Sequence, residues 1–145
     1  MNKTTNPLQF LPEKEDYVQE LPYRVTFSPR WIRVKFGGEM IADSQRAVLL
    51  RQYGPNRLPT YYFPPEDVRM NLMGPTVLKS RCPYKGMASY WSARIGDQWV
   101  KNIVWSYPEP IPECLKIKGL LCFFNEKVDV YVDGILQDRP QSPWS

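Results

Sequence analysis

The chain contains no histidine, and its three cysteines, Cys82, Cys114 and Cys122, form no Cys-x-x-Cys pair. The absence of histidine excludes Ser-His-Asp and Cys-His nucleophiles and the common histidine-containing zinc sites. An odd number of scattered cysteines argues against a disulfide framework and favours a reducing compartment. We therefore expect no metal site and no cofactor.

Long apolar runs are also missing. No stretch approaches the length of a membrane span. The first residues lead into polar, proline-bearing sequence rather than the apolar segment of a signal peptide. These observations predict a cytoplasmic protein that has no membrane partner.

A large excess of one charge sign is missing as well, since 19 Lys and Arg residues nearly balance 15 Asp and Glu residues and the net charge is only +4. The basic residues form no block, so an anionic small-molecule partner is compatible with the sequence but no nucleic acid is expected. The length of 145 residues fits one compact domain. The sequence leaves the oligomeric state open.

The sequence is rich in proline, with 15 residues that separate short apolar runs. Within those runs, apolar and polar residues alternate with a period of two, which is typical of strands. We predict a mainly β, compact antiparallel domain with one or two short helical turns, in PPEDVRMNL (64–72) and IPECLKIKG (111–119). The domain is expected to span 23–136, between an N-terminal tail at 1–22 and a C-terminal tail at 137–145.

Two hairpins carry the clearest turn signals, Gly37-Gly38 and Gly96-Asp97. Counting back from the first turn pairs Val34 with Ile41, and counting back from the second pairs Trp91 with Asn102 and Tyr90 with Ile103. The second register also brings the stretch CPYKG (82–86) beside the stretch WSYPEP (105–110). This juxtaposition predicts the most probable functional end of the domain.

Lys85 is the leading candidate in CPYKG, because a lysine beside Gly86 offers a point charge for an anion or, when desolvated, a nucleophile. The alternative is a solvated turn lysine. Cys82 is a second catalytic candidate if the nearby cations lower its pKa, although the lack of a histidine to act as its base favours a small buried apolar role.

Aromatic side chains are abundant around these motifs and could wall a cleft for a flat ligand. The alternative is ordinary core packing. Asp67 and Arg33 are further candidates, either as site charges or as members of structural ion pairs. The predicted ligand-binding residues are Lys85, Tyr84, Trp105, Tyr107, Tyr90, Tyr62, Asp67 and Arg33.

Several motifs together, in order, resemble the family called domain of unknown function 427, some members of which are labelled nucleotidyltransferase-like. They are RVKFGGEMIADS, YYFPPEDVRMNL, CPYKGMASYWSARIGD, WSYPEPIPE and VDVYVDG, and they cover roughly Val25 to Gly134. The resemblance implies a β-tent, or Mss4-like, fold in which two sheets meet at an angle. The two zinc-binding Cys-x-x-Cys knuckles of some relatives of that fold are absent from this chain.

Three functions are consistent with these features. The first is a domain that binds a small anionic or flat polar ligand between CPYKG and WSYPEP. The second is a protein-interaction module without small-molecule chemistry, suggested by Phe10 and Trp144 in the tails. The third is an enzyme acting on nucleotides or phosphate esters, suggested by the family label, although its candidate magnesium ligands lie in separate segments. Those candidates are Glu66, Asp67, Asp129 and Asp133.

Overall fold

The computed structural model describes residues 22–53 and 59–139, so most of both predicted tails, including Phe10 and Trp144, lies outside the described residues. Regular structure in the described part consists of strands and three 3₁₀ turns, Pro65–Asp67, Met70–Leu72 and Pro112–Ile117. The strands are β1 (Tyr23–Phe27), β2 (Ile32–Phe36), β3 (Glu39–Ser44), β4 (Val48–Gln52), β5 (Thr60–Phe63), β6 (Met73–Cys82), β7 (Gly86–Ile95), β8 (Gln98–Pro110), β9 (Leu121–Phe123), β10 (Asp129–Val132) and β11 (Ile135–Leu136).

The strands form two antiparallel sheets. The seven-stranded sheet has the order β1-β4-β5-β9-β8-β7-β6, and the four-stranded sheet has the order β11-β10-β2-β3. The predicted mainly β, antiparallel architecture with short helical turns is confirmed. Within the described residues, none of the helices has the length and apolar character that crossing a bilayer demands.

A buried apolar cluster, here called the inter-sheet core, lies between the two sheets. It draws on β2, β3 and the β10 region from one sheet and on β5, β7, β8 and β9 from the other. Its buried members are all aliphatic or phenylalanine: Ile32, Val34, Ile41, Ala42, Ala47, Phe63, Val68, Ala93, Ile95, Ile103, Val104, Leu121, Phe123, Val128 and Val130. Alternating apolar residues from both sheets therefore form a continuous buried apolar layer.

A second buried cluster, here called the tyrosine face, lies on the opposite side of the seven-stranded sheet. Strand alternation creates it, since Tyr62 and Cys122 belong to this cluster while their neighbours Phe63 and Phe123 belong to the inter-sheet core. The 3₁₀ turn Pro112–Ile117 contributes Cys114 and Ile117. The buried members are Tyr23, Val48, Leu50, Tyr62, Ala88, Tyr107, Cys114, Ile117 and Cys122.

The predicted hairpin registers are correct next to the turns and wrong farther away. In the first hairpin a bulge after Val34 makes this residue pair with Ala42 instead of Ile41. Both Ile41 and Ala42 are consequently buried. An extra residue in one strand shifts every later pair, and turn counting cannot detect it.

In the second hairpin the register holds from Ile95–Gln98 to Ala93–Val100 and then shifts. Trp91 pairs with Val104 instead of Asn102, and Tyr90 pairs with Trp105 instead of Ile103. Asn102 occupies the left-handed region at φ 53°, as expected for a bulged residue. The shift places Tyr90 directly opposite Trp105.

The edge strand β6 was not expected from the sequence. Pro75 lies within it, which is compatible with an edge because proline cannot donate to a neighbouring strand. Pairing with β7 is interrupted between Pro75 and Lys79. Tertiary pairing with β7, rather than local alternation, therefore establishes this strand.

Candidate functional site

The stretches CPYKG and WSYPEP lie side by side, as turn counting predicted. Gly86 pairs with Pro110 at the open end of β7 and β8. The backbone amide of Ile111 donates to the carbonyl of Lys85 at 2.9 Å. Gly86 has φ 123°, and a Cβ there would lie 3.1 Å from the carbonyl oxygen of Glu109. Only glycine allows both this backbone conformation and this close approach, so the turn is firmly placed.

A row of directly paired side chains crosses the tyrosine face from β4 to β7. Tyr62 pairs with Val48 on one side and with Cys122 on the other, Cys122 pairs with Trp105, and Trp105 pairs with Tyr90. We call these five residues the cross-strand row. Directly paired residues lie on the same face of a sheet, so the row presents an aromatic surface.

The aromatic part of the row is held by specific contacts. The indole Nε1 of Trp105 donates to the hydroxyl of Tyr62 at 3.1 Å, and their rings meet edge to face with centroids 6.5 Å apart. The ring of Phe124 lies 4.7 Å from that of Trp105. Tyr62 is 1% exposed. Its buried hydroxyl thus accepts a hydrogen bond from a partly buried indole and fixes the indole orientation.

A pocket of about 450 Å³ lies over this row. The volume is within the range of small-molecule sites, and aromatic rings dominate the wall. Four of the lining side chains are tyrosine or tryptophan, one is a lysine, two are amides, one is a hydroxyl and two are apolar. The lining residues are Gln52, Thr60, Tyr62, Leu78, Lys85, Tyr90, Asn102, Trp105, Tyr107 and Phe124.

Lys85 brings a positive charge to the pocket. It is partly buried, and its Nζ lies 5.7 Å from the centroid of the Tyr23 ring. None of the ion pairs among the described residues involves Lys85. Its ammonium therefore has no carboxylate partner among the described residues and is available to an anion.

Four titratable groups near Lys85 are neutral because their pKa is raised. Burial raises the pKa of the Cys114 and Cys122 thiols, and the Lys85 charge opposes this rise at both thiols. Burial also raises the pKa of the phenols Tyr62 and Tyr107. Lys85 consequently supplies the positive charge of the pocket without a neighbouring thiolate or phenolate to neutralise it.

The structure brings five predicted ligand-binding residues together in the pocket: Lys85, Tyr62, Tyr90, Trp105 and Tyr107. Tyr84 lies outside the lining; the residue is 51% exposed, and its backbone carbonyl accepts a hydrogen bond from the hydroxyl of Tyr23. Cys82 is partly buried and packs against the tyrosine face, next to the pocket rather than in its lining.

Asp67 and Arg33 lie elsewhere. Asp67 accepts hydrogen bonds from Ser44 Oγ at 2.7 Å and from Arg46 Nε at 3.0 Å, and the bond from Arg46 is the main cause of its lowered pKa. The guanidinium of Arg33 lies 4.0 Å from the centroid of the Trp31 ring and also stacks near Tyr131. Both residues have structural partners of their own.

The four carboxylates considered as magnesium ligands are each paired with an arginine. Arg46 contacts Glu66 and Asp67, Arg139 contacts Asp129, and Arg30 contacts Asp133. Across residues 22–53 and 59–139, no group of three or more cysteine and acidic side chains is arranged to hold a metal ion.

Five lining residues were missed: Gln52, Thr60, Leu78, Asn102 and Phe124. Leu78 belongs to the unexpected strand β6. Asparagine is depleted in strands, so Asn102 within the run QWVKNIVW could have indicated a β-bulge. The other three lie near the row only because β4, β5 and β9 pair in the same sheet.

A family model described as a domain of unknown function (DUF427) matches residues 24–134. No curated protein matches the chain. Because the match covers most of the sequence, the chain belongs to the DUF427 family.

Proposed function

We propose that this member of the DUF427 family is a cytoplasmic binding domain for a small anionic ligand with a flat part. The ligand occupies the pocket over the cross-strand row, and Lys85 binds its anionic group. The observation that carries the proposal is the Lys85 ammonium, which has no acidic partner among the described residues and lies at an aromatic pocket of about 450 Å³.

Electrostatics support an anion at this end of the pocket. A partly desolvated ammonium attracts an anion more strongly than one in bulk water, because the effective dielectric is lower. The nearby phenols of Tyr62 and Tyr107 are neutral, since burial raises the pKa of both. They do not repel an incoming anion, and the ammonium can form a charge-assisted hydrogen bond with it.

The pocket wall supports a flat ligand. Trp105 and Tyr90 are directly opposed on neighbouring strands, and both are only partly buried, so part of each ring is accessible. The hydrogen bond from Trp105 to Tyr62 holds the indole in place before binding. A fixed ring loses little conformational freedom when a planar group stacks on it, which favours affinity.

The test uses naphthalene-2-sulfonate as the probe, with binding followed by the NMR signal of the Trp105 indole N–H. This signal is assigned by its disappearance in a Trp105→Phe variant. We expect saturable shifts of the Trp105 signal in the wild type. Lys85→Gln should weaken binding at least about tenfold, because a charge-assisted contact is lost.

The matched control is Lys101→Gln, which neutralises an exposed lysine on β8 outside the pocket lining. This variant should bind the probe as the wild type does. Equal affinities of the Lys85→Gln and Lys101→Gln variants would contradict the role of Lys85. Native mass spectrometry of the purified protein adds a second readout, since a co-purifying small molecule should be retained less by Lys85→Gln.

A second candidate function is self-association through β6, and the exposure of this edge strand favours it. Val77 is 97% exposed and Leu78 is 43% exposed, where β6 is not paired with β7. An unpaired edge with apolar side chains can pair with the same edge of a second copy. Light scattering should then give a dimer mass for the wild type and a monomer mass for Val77→Lys; a monomeric wild type would exclude it.

A further inference from the structure

Asn102 lies in an unusual backbone conformation at the pocket wall. Its φ of 53° is in the left-handed region, although it lies within β8. Its backbone amide donates at 3.0 Å to a side chain, the Oγ of Ser92 on the neighbouring strand β7. Asparagine tolerates this region better than most residues, but strain of this kind persists only where the surroundings enforce it.

The surroundings fix the Asn102 side chain as well. Thr76 Oγ1 donates to Asn102 Oδ1 at 2.8 Å and lies 3.3 Å from the carbonyl of Tyr90. Thr76 can reach both groups because β6 separates from β7 between Pro75 and Lys79. Two irregular strands therefore cooperate to hold one side-chain amide.

The amide nitrogen of Asn102, Nδ2, is a hydrogen-bond donor that has no acceptor among the described residues. Asn102 lines the pocket, its Oδ1 is engaged by Thr76, and the hydrogen bonds of the described residues include none from its Nδ2. Its Nδ2 is thus available to a ligand as a neutral donor.

Asn102 and Lys85 lie toward different ends of the pocket. The turn that carries Lys85 is hydrogen-bonded to Ile111, which follows the end of β8. Among the pocket residues of β8, Tyr107 is the one nearest to Ile111 in sequence. Tyr107 and Asn102 are separated by roughly 15 Å at the rise of an extended strand, and less where the strand is bulged. Trp105 of the cross-strand row lies between them.

We propose that the pocket selects an elongated, planar, conjugated anion that carries a carbonyl-type acceptor at the end remote from its acid group. Lys85 binds the acid, the rings of the cross-strand row contact the planar body, and Asn102 Nδ2 donates to the remote carbonyl. Asn102 is the specificity-determining residue. This inference rests on the proposed function and adds the chemical class of the ligand.

Two isosteric probes test it: 4′-acetylbiphenyl-4-carboxylate, which has the remote carbonyl, and 4′-isopropylbiphenyl-4-carboxylate, which replaces it with an apolar group. Isothermal titration should show the wild type preferring the acetyl probe by about fivefold, the usual worth of one neutral hydrogen bond. Asn102→Gly removes the amide while keeping the positive φ available, and it should abolish the preference. Thr76→Val, which frees the amide to rotate, should reduce it.

Lys85→Gln separates this inference from the proposed function. This variant should weaken the binding of both probes by the same factor and preserve the ratio of their affinities. A wild-type ratio near one, or a ratio unchanged in Asn102→Gly, overturns the role of Asn102 while the Lys85 site stands. Failure of both probes at millimolar concentration overturns the ligand class, whereas failure of naphthalene-2-sulfonate in its own test counts against the proposed function.

Discussion

The two faces of the seven-stranded sheet have different chemistry, although they share the same strands. The inter-sheet core is built from aliphatic and phenylalanine side chains, whereas the tyrosine face contains Tyr23, Tyr62, Tyr107, Cys114 and Cys122. One face is covered by a second sheet. The other is covered in part by the turn Pro112–Ile117 and is open at a pocket.

The difference shows how one sheet combines a stabilising apolar layer with a face that contains a pocket. Apolar side chains in the inter-sheet core need no polar partner, so their burial contributes directly to folding. Hydroxyl groups on the tyrosine face must be paired when buried, and the Tyr62–Trp105 hydrogen bond meets this requirement. The tyrosine face thus keeps polar, oriented groups near the pocket without relying on them for most of the stability.

The largest expected effect comes from truncating the inter-sheet core. Phe63 is 1% exposed and packs edge to face with Phe123, with ring centroids 5.9 Å apart. Phe63→Ala should lower the free energy of unfolding by about 3–5 kcal/mol, because it leaves a cavity that the sheets cannot fully close. Denaturant unfolding measures the loss, and a cost below about 1 kcal/mol would contradict dense packing of this layer.

Removing a hydroxyl from Tyr62 and adding one to its neighbour Phe63 compares the tyrosine face with the inter-sheet core directly. Tyr62→Phe should cost about 1 kcal/mol, since the Trp105 indole N–H loses its acceptor. Phe63→Tyr should cost more, about 1–3 kcal/mol, since the new hydroxyl enters a layer of apolar side chains. Thermal or denaturant unfolding of both variants gives the order, and the reverse order would remove the distinction between the faces.

Alkaline pH should destabilise the protein through the tyrosine face. Burial raises the pKa of Tyr107 above its usual value of 10. The unfolded chain therefore releases this proton first, and stability is complete below about pH 10 and falls as the pH rises above it. Tyr107→Phe should reduce the dependence by at most about one proton per molecule.

Measurements of Tm between neutral pH and about pH 11 test this. Tyr107→Phe adds no polar group and keeps the ring, so it is a conservative comparison. Parallel loss of stability in the variant and the wild type would show that Tyr107 ionises equally easily in the folded and unfolded states.

The smallest effect is expected at Asp67, on the side of the inter-sheet core. The hydrogen bond from Arg46 lowers the Asp67 pKa, so its contribution is complete above the unfolded pKa of about 4 and is lost as the pH falls through the lower folded value. Asp67→Asn should lower Tm by less than about 3 °C at neutral pH, because Arg46 is solvent-exposed.

The Tm difference between wild type and Asp67→Asn should disappear in acid. A difference that persists below about pH 2 would show that the carboxylate charge is not its cause.

Much of the local structure was predictable. The turns Gly37-Gly38 and Gly96-Asp97 fixed both hairpins, and the first pairs beside each turn are correct. The neighbourhood of CPYKG and WSYPEP also follows from the second turn, because bulges displace pairs by a few residues without separating the strands. The pairing of Tyr90 with Trp105 did not follow, because the bulge at Asn102 moves it.

The residues that line the pocket were only partly predictable from the sequence. Lys85, Tyr107 and Trp105 were predictable together since one hairpin joins their segments. Tyr62 is in the pocket because β9 lies between β5 and β8, a neighbour relation that no local pattern encodes. Asp67 and Arg33 carry suitable charges, but their partners Arg46 and Trp31 hold them elsewhere.

The sequence by itself determined most of the strands and the turns between them, because period-two patterning and turn residues act over short distances. Its motifs, taken in order, also carried the resemblance to the family. Only the tertiary structure decided which face each bulged strand turns toward the pocket. It also decided that a lysine from the turn between β6 and β7 and an asparagine from β8 lie at one cavity. Strand order and register depend on packing across the whole sheet, which no single segment specifies.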